Sequence, residues 1–196
     1  MKKIIGLCLT IIVAGSLMSG CGQIKDIFEK GNGVIIYGDD NAVKNGFKEH
    51  KKHIKEKDSY PYKTTETGDQ TVIILEKKTA SVLIEKGLLK EVLKDSETEA
   101  MKKLPKTSKG EAILFAKENM DKLEINDHPI DISYGGNTII GDGRTYGDIF
   151  LIVDKSNWEK IDEEEKTMGI IQFDKDPKKL LKDFDVDAFQ LVKIES

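Results

Sequence analysis

Apolar positions along this chain come in short, closely spaced runs broken by charged and turn-forming residues. Val34-Ile35-Ile36-Tyr37, held between Gly33 and Gly38, and Val72-Ile73-Ile74-Leu75 are continuous, β-branched and four residues long. Such runs predict buried strands. Between them, Asn41 to Lys55 predicts a polar, mostly exposed helix anchored by Val43 and Phe47, and Ser59-Tyr60-Pro61-Tyr62 predicts a turn-rich stretch. Thr79 to Lys94 sets Ile84, Leu88 and Val92 at i, i+4 and i+8, beside Leu89 and Leu93. That is the apolar stripe of a helix lying on a sheet.

After Pro105 the signals change. Ser108 followed by Glu111 has the spacing of a capping box, and predicts a helix with Ile113, Ala116, Met120 and Leu123 on one face. Ile130–Tyr134 and Thr138–Ile140, joined by Gly135-Gly136-Asn137, predict a hairpin. Ile149–Val153 is a fully apolar strand; Ser156 with Glu159 opens a short helix carrying Trp158 and Ile161; Gly169–Phe173 is a strand. Asp176-Pro177 is an N-cap with proline at the first helical position, ahead of Leu180, Leu181 and Phe184. Ala188–Ile194 closes the chain as a strand. The reading is α+β: a mixed β-sheet with helices packed on it, ending in a β-α-β-α-β unit whose order allows parallel pairing.

Length then limits the organisation. With 196 residues there is chain for one domain over 34–196, with a candidate division into lobes of 34–100 and 108–196. Hydrophobic content of 38% and charged content of 34% suit a solvated globular surface and exclude a disordered chain.

The amino terminus changes the picture most. Met1-Lys2-Lys3 is a basic start, Ile4 to Leu17 is uncharged and apolar, and Ser19-Gly20-Cys21 follows. This is the layout of a signal peptide over residues 1–20. Leu17-Met18-Ser19-Gly20-Cys21 resembles the lipobox of bacterial lipoproteins, which implies cleavage before Cys21 and acylation of its thiol. The rival is an uncleaved span over Ile4–Ile24, 21 residues without a charge but rich in glycine and serine. Either way the domain sits on the outer face of the cytoplasmic membrane. Cys8 leaves with the signal, so the mature chain has no disulfide and no cysteine nucleophile. A tether over 21–33 follows; its twelve residues from Gly22 to Gly33 reach about 40 Å when fully extended.

The mature chain keeps 29 basic against 35 acidic residues, a net −6. That excludes a general nucleic-acid binder. It also implies repulsion from anionic headgroups, leaving the lipid to hold the membrane.

Candidate chemistry is sparse. His50 and His53 stand at i and i+3, but Lys48, Lys51, Lys52 and Lys55 surround them, so a solvated helix face is expected and no metal. His128 precedes Pro129 in a turn. Gly141-Asp142-Gly143-Arg144-Thr145-Tyr146-Gly147-Asp148 is the most unusual stretch. It lacks the EF-hand alternation and the P-loop Lys-Ser/Thr, yet holds the one arginine against 30 lysines. Gly141, Asp142, Arg144, Tyr146 and Asp148 are therefore the candidate ligand or partner loop, against the alternative of a mobile β-loop. No G-x-S-x-G, S-x-x-K or Cys-His pair exists in the mature chain, and Asp162-Glu163-Glu164-Glu165 reads as a solvated charge run. The expectation is a non-enzymatic protein without cofactor.

Ile149 to Ile194, with Asp154-Lys155-Ser156-Asn157-Trp158-Glu159-Lys160-Ile161, Gly169-Ile170-Ile171-Gln172-Phe173 and Asp176-Pro177-Lys178-Lys179, resembles the extracellular domains of FtsX/MacB-like ABC transporter permeases. The whole chain is similar to small, uncharacterised lipoproteins of Bacillus-type bacteria. The first resemblance implies a domain that transmits motion or binds a partner, so an ABC transporter permease is the expected membrane partner. Small-ligand or ion binding through Gly135–Asp148 is the alternative. An envelope enzyme, needing a carboxylate pair assembled by the fold, is the third.

Overall fold

The structure, a computed structural model, describes residues 31–120, 122–125 and 128–195. The expected signal peptide, the acylated Cys21 and most of the tether lie outside the described residues. Among those described, no helix is long and apolar enough to cross a membrane.

Among the described residues, thirteen strands and three α-helices succeed one another in the order β1 (Gly33–Gly38), α1 (Asp40–Glu49), β2 (Ile54–Thr67), β3 (Gln70–Glu76), α2 (Lys77–Glu85), β4 (Leu89–Val92), β5 (Thr98–Ala100), β6 (Ala112–Phe115), β7 (Leu123–Ile125), β8 (His128–Ile130), β9 (Ile132–Gly136), β10 (Thr138–Ile140), β11 (Ile149–Val153), α3 (Lys155–Trp158), β12 (Glu165–Phe173) and β13 (Ala188–Val192). Eight of the strands form one sheet in the order β13-β1-β12-β2-β3-β11-β6-β9; β10-β4-β5 and β7-β8 form two small ones. The fold is α+β, as the apolar pattern predicts. The large sheet takes strands from both before residue 100 and after residue 108, with β1, β2 and β3 lying among the later ones.

β2 joins the two halves of that sheet. Ile54 to Lys63 pairs with β12, and Lys63 to Thr67 pairs with β3. Because side chains alternate along a strand, β1 sends Ile35 and Tyr37 to one face and Val34 and Ile36 to the other. The first face is a continuous core, where Ile73, Phe115 and Phe150 pack beneath Leu83 of α2 and Leu89 and Ile140 of the small sheet. The second face carries two separate clusters. Val43 and Phe47 of α1 cover one, beside Ile171 and Phe184; Trp158, Ile161, Leu123 and Ile125 cover the other, over Val72, Ile74 and Leu151.

Several local expectations are corrected. The stretch Ser59–Tyr62 is not a turn but the middle of β2. Pro61 lies where β2 has only β12 beside it, the place where a sheet tolerates a missing N–H. α1 stops at Glu49, short of Lys55, because Ile54 starts β2. The helix expected over Thr79–Lys94 ends at Glu85. Gly87, at φ 67°, donates to Ile84 O at 2.9 Å, and Leu88 N donates to Leu83 O at 2.7 Å. This is a Schellman stop, and it turns Leu89 and Val92 into β4.

The box spacing at Ser108 is half met, since Ser108 N donates to Glu111 Oε2 at 2.9 Å. The chain beyond it forms no helix, however, but strand β6, buried on both faces. The glycine hairpin is also absent: β9 runs parallel to β6, and β10 leaves for the small sheet to pair with β4. In the last third the element order holds, with two 3-10 turns, Pro177–Lys179 and Leu181–Asp183, in place of a second α-helix. The parallel pairs are β11 with β3 and β6 with β9; β12 and β13 flank β1, antiparallel to it.

Candidate functional site

The glycine-rich loop after β10 lies against the first face of the sheet and is tied into it. Gly141, at φ 69°, is where a Cβ would collide with Gln190. With its amide oriented to donate, Gln190 reaches Asp142 Oδ1 at 3.1 Å and Ile140 O at 3.0 Å. Arg144 donates to Asn137 Oδ1 at 2.8 Å, to Thr138 O at 2.9 Å and to Asp148 O, and its guanidinium stands 5.5 Å from the centre of the Phe150 ring. Burial lowers its pKa from the ordinary value, with the Asp148 charge acting the other way; an arginine keeps its charge regardless. Asp148 accepts from Thr71 N at 3.0 Å and returns a bond from its own N–H to Thr71 O at 2.9 Å.

Tyr146 completes the loop. Its ring stacks on Tyr37 at 4.5 Å, and its hydroxyl lies 2.9 Å from that of Tyr62. Burial, first of all, pushes the Tyr37 and Tyr62 hydroxyls well above the usual phenol range. Arg144, Tyr146 and Asp148 thus spend their polar atoms inside the fold. Among the described residues no group of three or more His, Cys, Asp or Glu side chains is arranged to hold a metal ion. The histidines separate as well. His50 is buried against Phe184 at 4.5 Å, not on a solvated face, while His53 is exposed. His50 Nε2 has no hydrogen-bond partner among the described residues.

A hollow of about 60 Å³ lies beside Gly141 and Asp142, and two larger ones lie on the other face. Asp154 caps α3 by accepting from Asn157 N at 3.0 Å, with the Ser156 hydroxyl at 2.8 Å. The cap is therefore Asp154 and not Ser156. Those two bonds, the Asn157 N–H foremost, hold the Asp154 carboxyl below its usual value. At the other end Lys63 donates to Trp158 O at 3.2 Å and Ile161 O at 2.6 Å, with its ammonium 4.8 Å from the centre of the Trp158 ring. A buried lysine thereby satisfies carbonyls that a helix end leaves without partners. Asn157 Nδ2 reaches across to Gly110 O at 2.7 Å and fixes α3 to the turn before β6.

Between α3, that turn and the β7-β8 hairpin lies a cleft of about 990 Å³. Ile125, Pro129, Ile130 and Ile161 give it apolar walls, and Lys109, Asp131, Lys160 and Asp162 form a rim of both signs. A second hollow of about 630 Å³ shares Lys109, Pro129, Ile130 and Asp131 with it and continues towards Lys122 and Ile132. Small ligands bind in clefts of several hundred Å³, and this one divides its lining about evenly between apolar and polar surface. The sequence hides this one because its walls come from three distant segments, each resembling an ordinary turn or charge run. The traceable signals were the break at Ser108-Lys109-Gly110 and Asp154 ahead of Trp158.

Comparison with curated proteins finds no match. Among solved structures, one described as "Putative Lipoprotein from Bacillus anthracis" aligns over 84% of this chain and 99% of its own, with 30% identity and a TM-score of 0.76. A family model covers residues 31–195, from the first described residue to the last. On those matches the chain belongs to an uncharacterised lipoprotein family.

Proposed function

We propose that this lipoprotein is acylated at Cys21, held on the outer face of the cytoplasmic membrane, and acts by binding a ligand rather than by catalysis. The cleft beside α3 carries the reading. Its size and apolar walls suit a small molecule, and its rim of lysines and aspartates suits a ligand with an apolar body and charged ends. Those rim side chains are exposed, as binding groups at a cleft mouth are. The test is thermal melting of the purified chain across a panel of charged and zwitterionic small molecules. At a hundred times Kd a ligand stabilises by about 2.7 kcal/mol, or roughly 5–10 °C in a domain of this size. The paired variant Lys109→Glu, Lys160→Glu removes that shift. A melting temperature unmoved by the whole panel sinks the reading.

A second reading, docking on a membrane partner such as an ABC transporter permease, is favoured by Phe189. It is 39% exposed on the edge strand β13, inside the segment that resembles permease ectodomains. Crosslinking in intact membranes compares wild type with Phe189→Asp; a permease captured equally by both removes Phe189 from the argument, and none captured at all removes the partner.

A further inference from the structure

Net charge hides how this domain distributes its charges. The acidic run Asp162-Glu163-Glu164-Glu165 leads into β12 at Glu165, opposite Lys63. β12 ends at Phe173, opposite Ile54, eight residues and about 26 Å further on at strand spacing. At that end lies the turn between α1 and β2, with Lys51 and Lys52, flanked by Lys48 on the last turn of α1 and Lys55 at the start of β2, all four exposed. None of these four is in an ion pair among the described residues. Over residues 48–57 five lysines stand against two carboxylates, Glu49 and Glu56. The run 162–165 at the start of β12 is thus acidic, and the segment 48–57 beside its end is basic.

The tether arrives at the positive end. Asn32 O accepts from Phe173 N at 2.8 Å, and the next N–H, that of Asp174, donates to His53 O at 3.1 Å. Two consecutive backbone bonds therefore connect the start of the folded chain to the lysine turn. Only ten residue steps separate Cys21 from Gly31. They span at most about 36 Å, so this end of the domain stays near the bilayer.

The geometry points to a second membrane contact: the segment bearing Lys48, Lys51, Lys52 and Lys55 rests on the anionic headgroups of the bilayer that holds the anchor. This reverses the repulsion implied by the net −6, because screening at physiological salt leaves a charge visible for only about 8 Å, and at that range the local sign decides. It rests on the membrane-anchored reading above. The lipid supplies the anchoring, and the basic patch orients the anchored domain against an anionic surface. The acidic end of β12 and the cleft beside α3 then face away from headgroups.

The test uses the full chain as extracted from membranes, reconstituted in vesicles of phosphatidylcholine alone or mixed with phosphatidylglycerol. Lysines are footprinted with an amine-acylating reagent and read by mass spectrometry. Lys48, Lys51, Lys52 and Lys55 are to react about threefold more slowly on the phosphatidylglycerol vesicles at low salt, and equally in 1 M salt. Lys109 and Lys122 are to be indifferent to lipid. In Lys51→Glu, Lys52→Glu the remaining two lysines lose their protection. Protection that is equal in both lipids, or absent from both, overturns the proposal. The mass of the same purified chain reports separately whether Cys21 carries lipid, so a failed anchor is told apart from a failed contact.

Discussion

The loop Gly141–Asp148 and the cleft beside α3 lie on opposite faces of one sheet and use similar residue types to opposite ends. In the loop, Arg144 is surrounded by acceptors from its own neighbourhood, and Tyr146 is stacked on Tyr37. In the cleft, Lys109, Asp131, Lys160 and Asp162 project to solvent around apolar walls. The loop has the unusual composition, since a left-handed glycine, a lone arginine and a half-buried tyrosine are what a self-satisfying loop needs. The cleft has the commonplace one. Unusual local composition marks constraint, and constraint is as often structural as functional.

That contrast is open to direct attack, the strongest blow first. Arg144→Ala leaves Asn137, Thr138 and Asp148 without their donor, and is expected to cost about 3 kcal/mol in chemical denaturation. A loss below ~1 kcal/mol makes the loop dispensable to the fold and a candidate binding site once more. Lys63→Met keeps a chain over Trp158 but orphans the carbonyls of Trp158 and Ile161. It is expected to lose about 2 kcal/mol and to blunt any ligand response by loosening α3.

Asp154→Ala removes the cap of α3, worth about 1 kcal/mol at neutral pH. Because the folded state lowers the Asp154 pKa from its ordinary 3.8, its contribution is complete above that value and declines as pH falls through the folded one. The gap between wild type and variant should therefore close in acid; a gap constant from pH 7 to pH 2 refutes the charged cap. Smallest of all, Lys109→Ala and Lys160→Ala should each change stability by less than ~0.5 kcal/mol. Larger losses at the rim turn the cleft into another self-satisfied region.

The parts of the fold visible in the sequence were those decided locally. Val34–Tyr37, Val72–Leu75 and Ile149–Val153 are continuous apolar runs, and each is a strand buried on both faces. Asp176-Pro177 opens a turn as its chemistry demands. The errors came where a period was carried past a stop. Ile84, Leu88 and Val92 keep helical spacing, but Gly87 sits between the first two and ends the helix. Ala112–Phe115 joins a sheet because β11 and β9 lie on either side of it, which no local window reports. For the cleft, Lys109 and Gly110, Ile125 with Pro129–Asp131, and residues of Ser156–Asp162 are brought together only by the tertiary fold.

Among the described strands β1 is made first, and both of its partners come at the end of the chain. Its neighbours β12 and β13 begin at Glu165 and Ala188, so during synthesis Val34-Ile35-Ile36-Tyr37 waits unpaired while more than a hundred residues are added. Long-range pairing of this kind is slow, and an apolar, β-branched segment is then exposed to its own copies. The two aspartates just after it, Asp39 and Asp40, are the type of charged flank that discourages such self-association. This fully buried strand, one place in from the edge of the finished sheet, is thus also an aggregation hazard during synthesis, and replacing that acidic pair should lower soluble yield before it alters the folded protein.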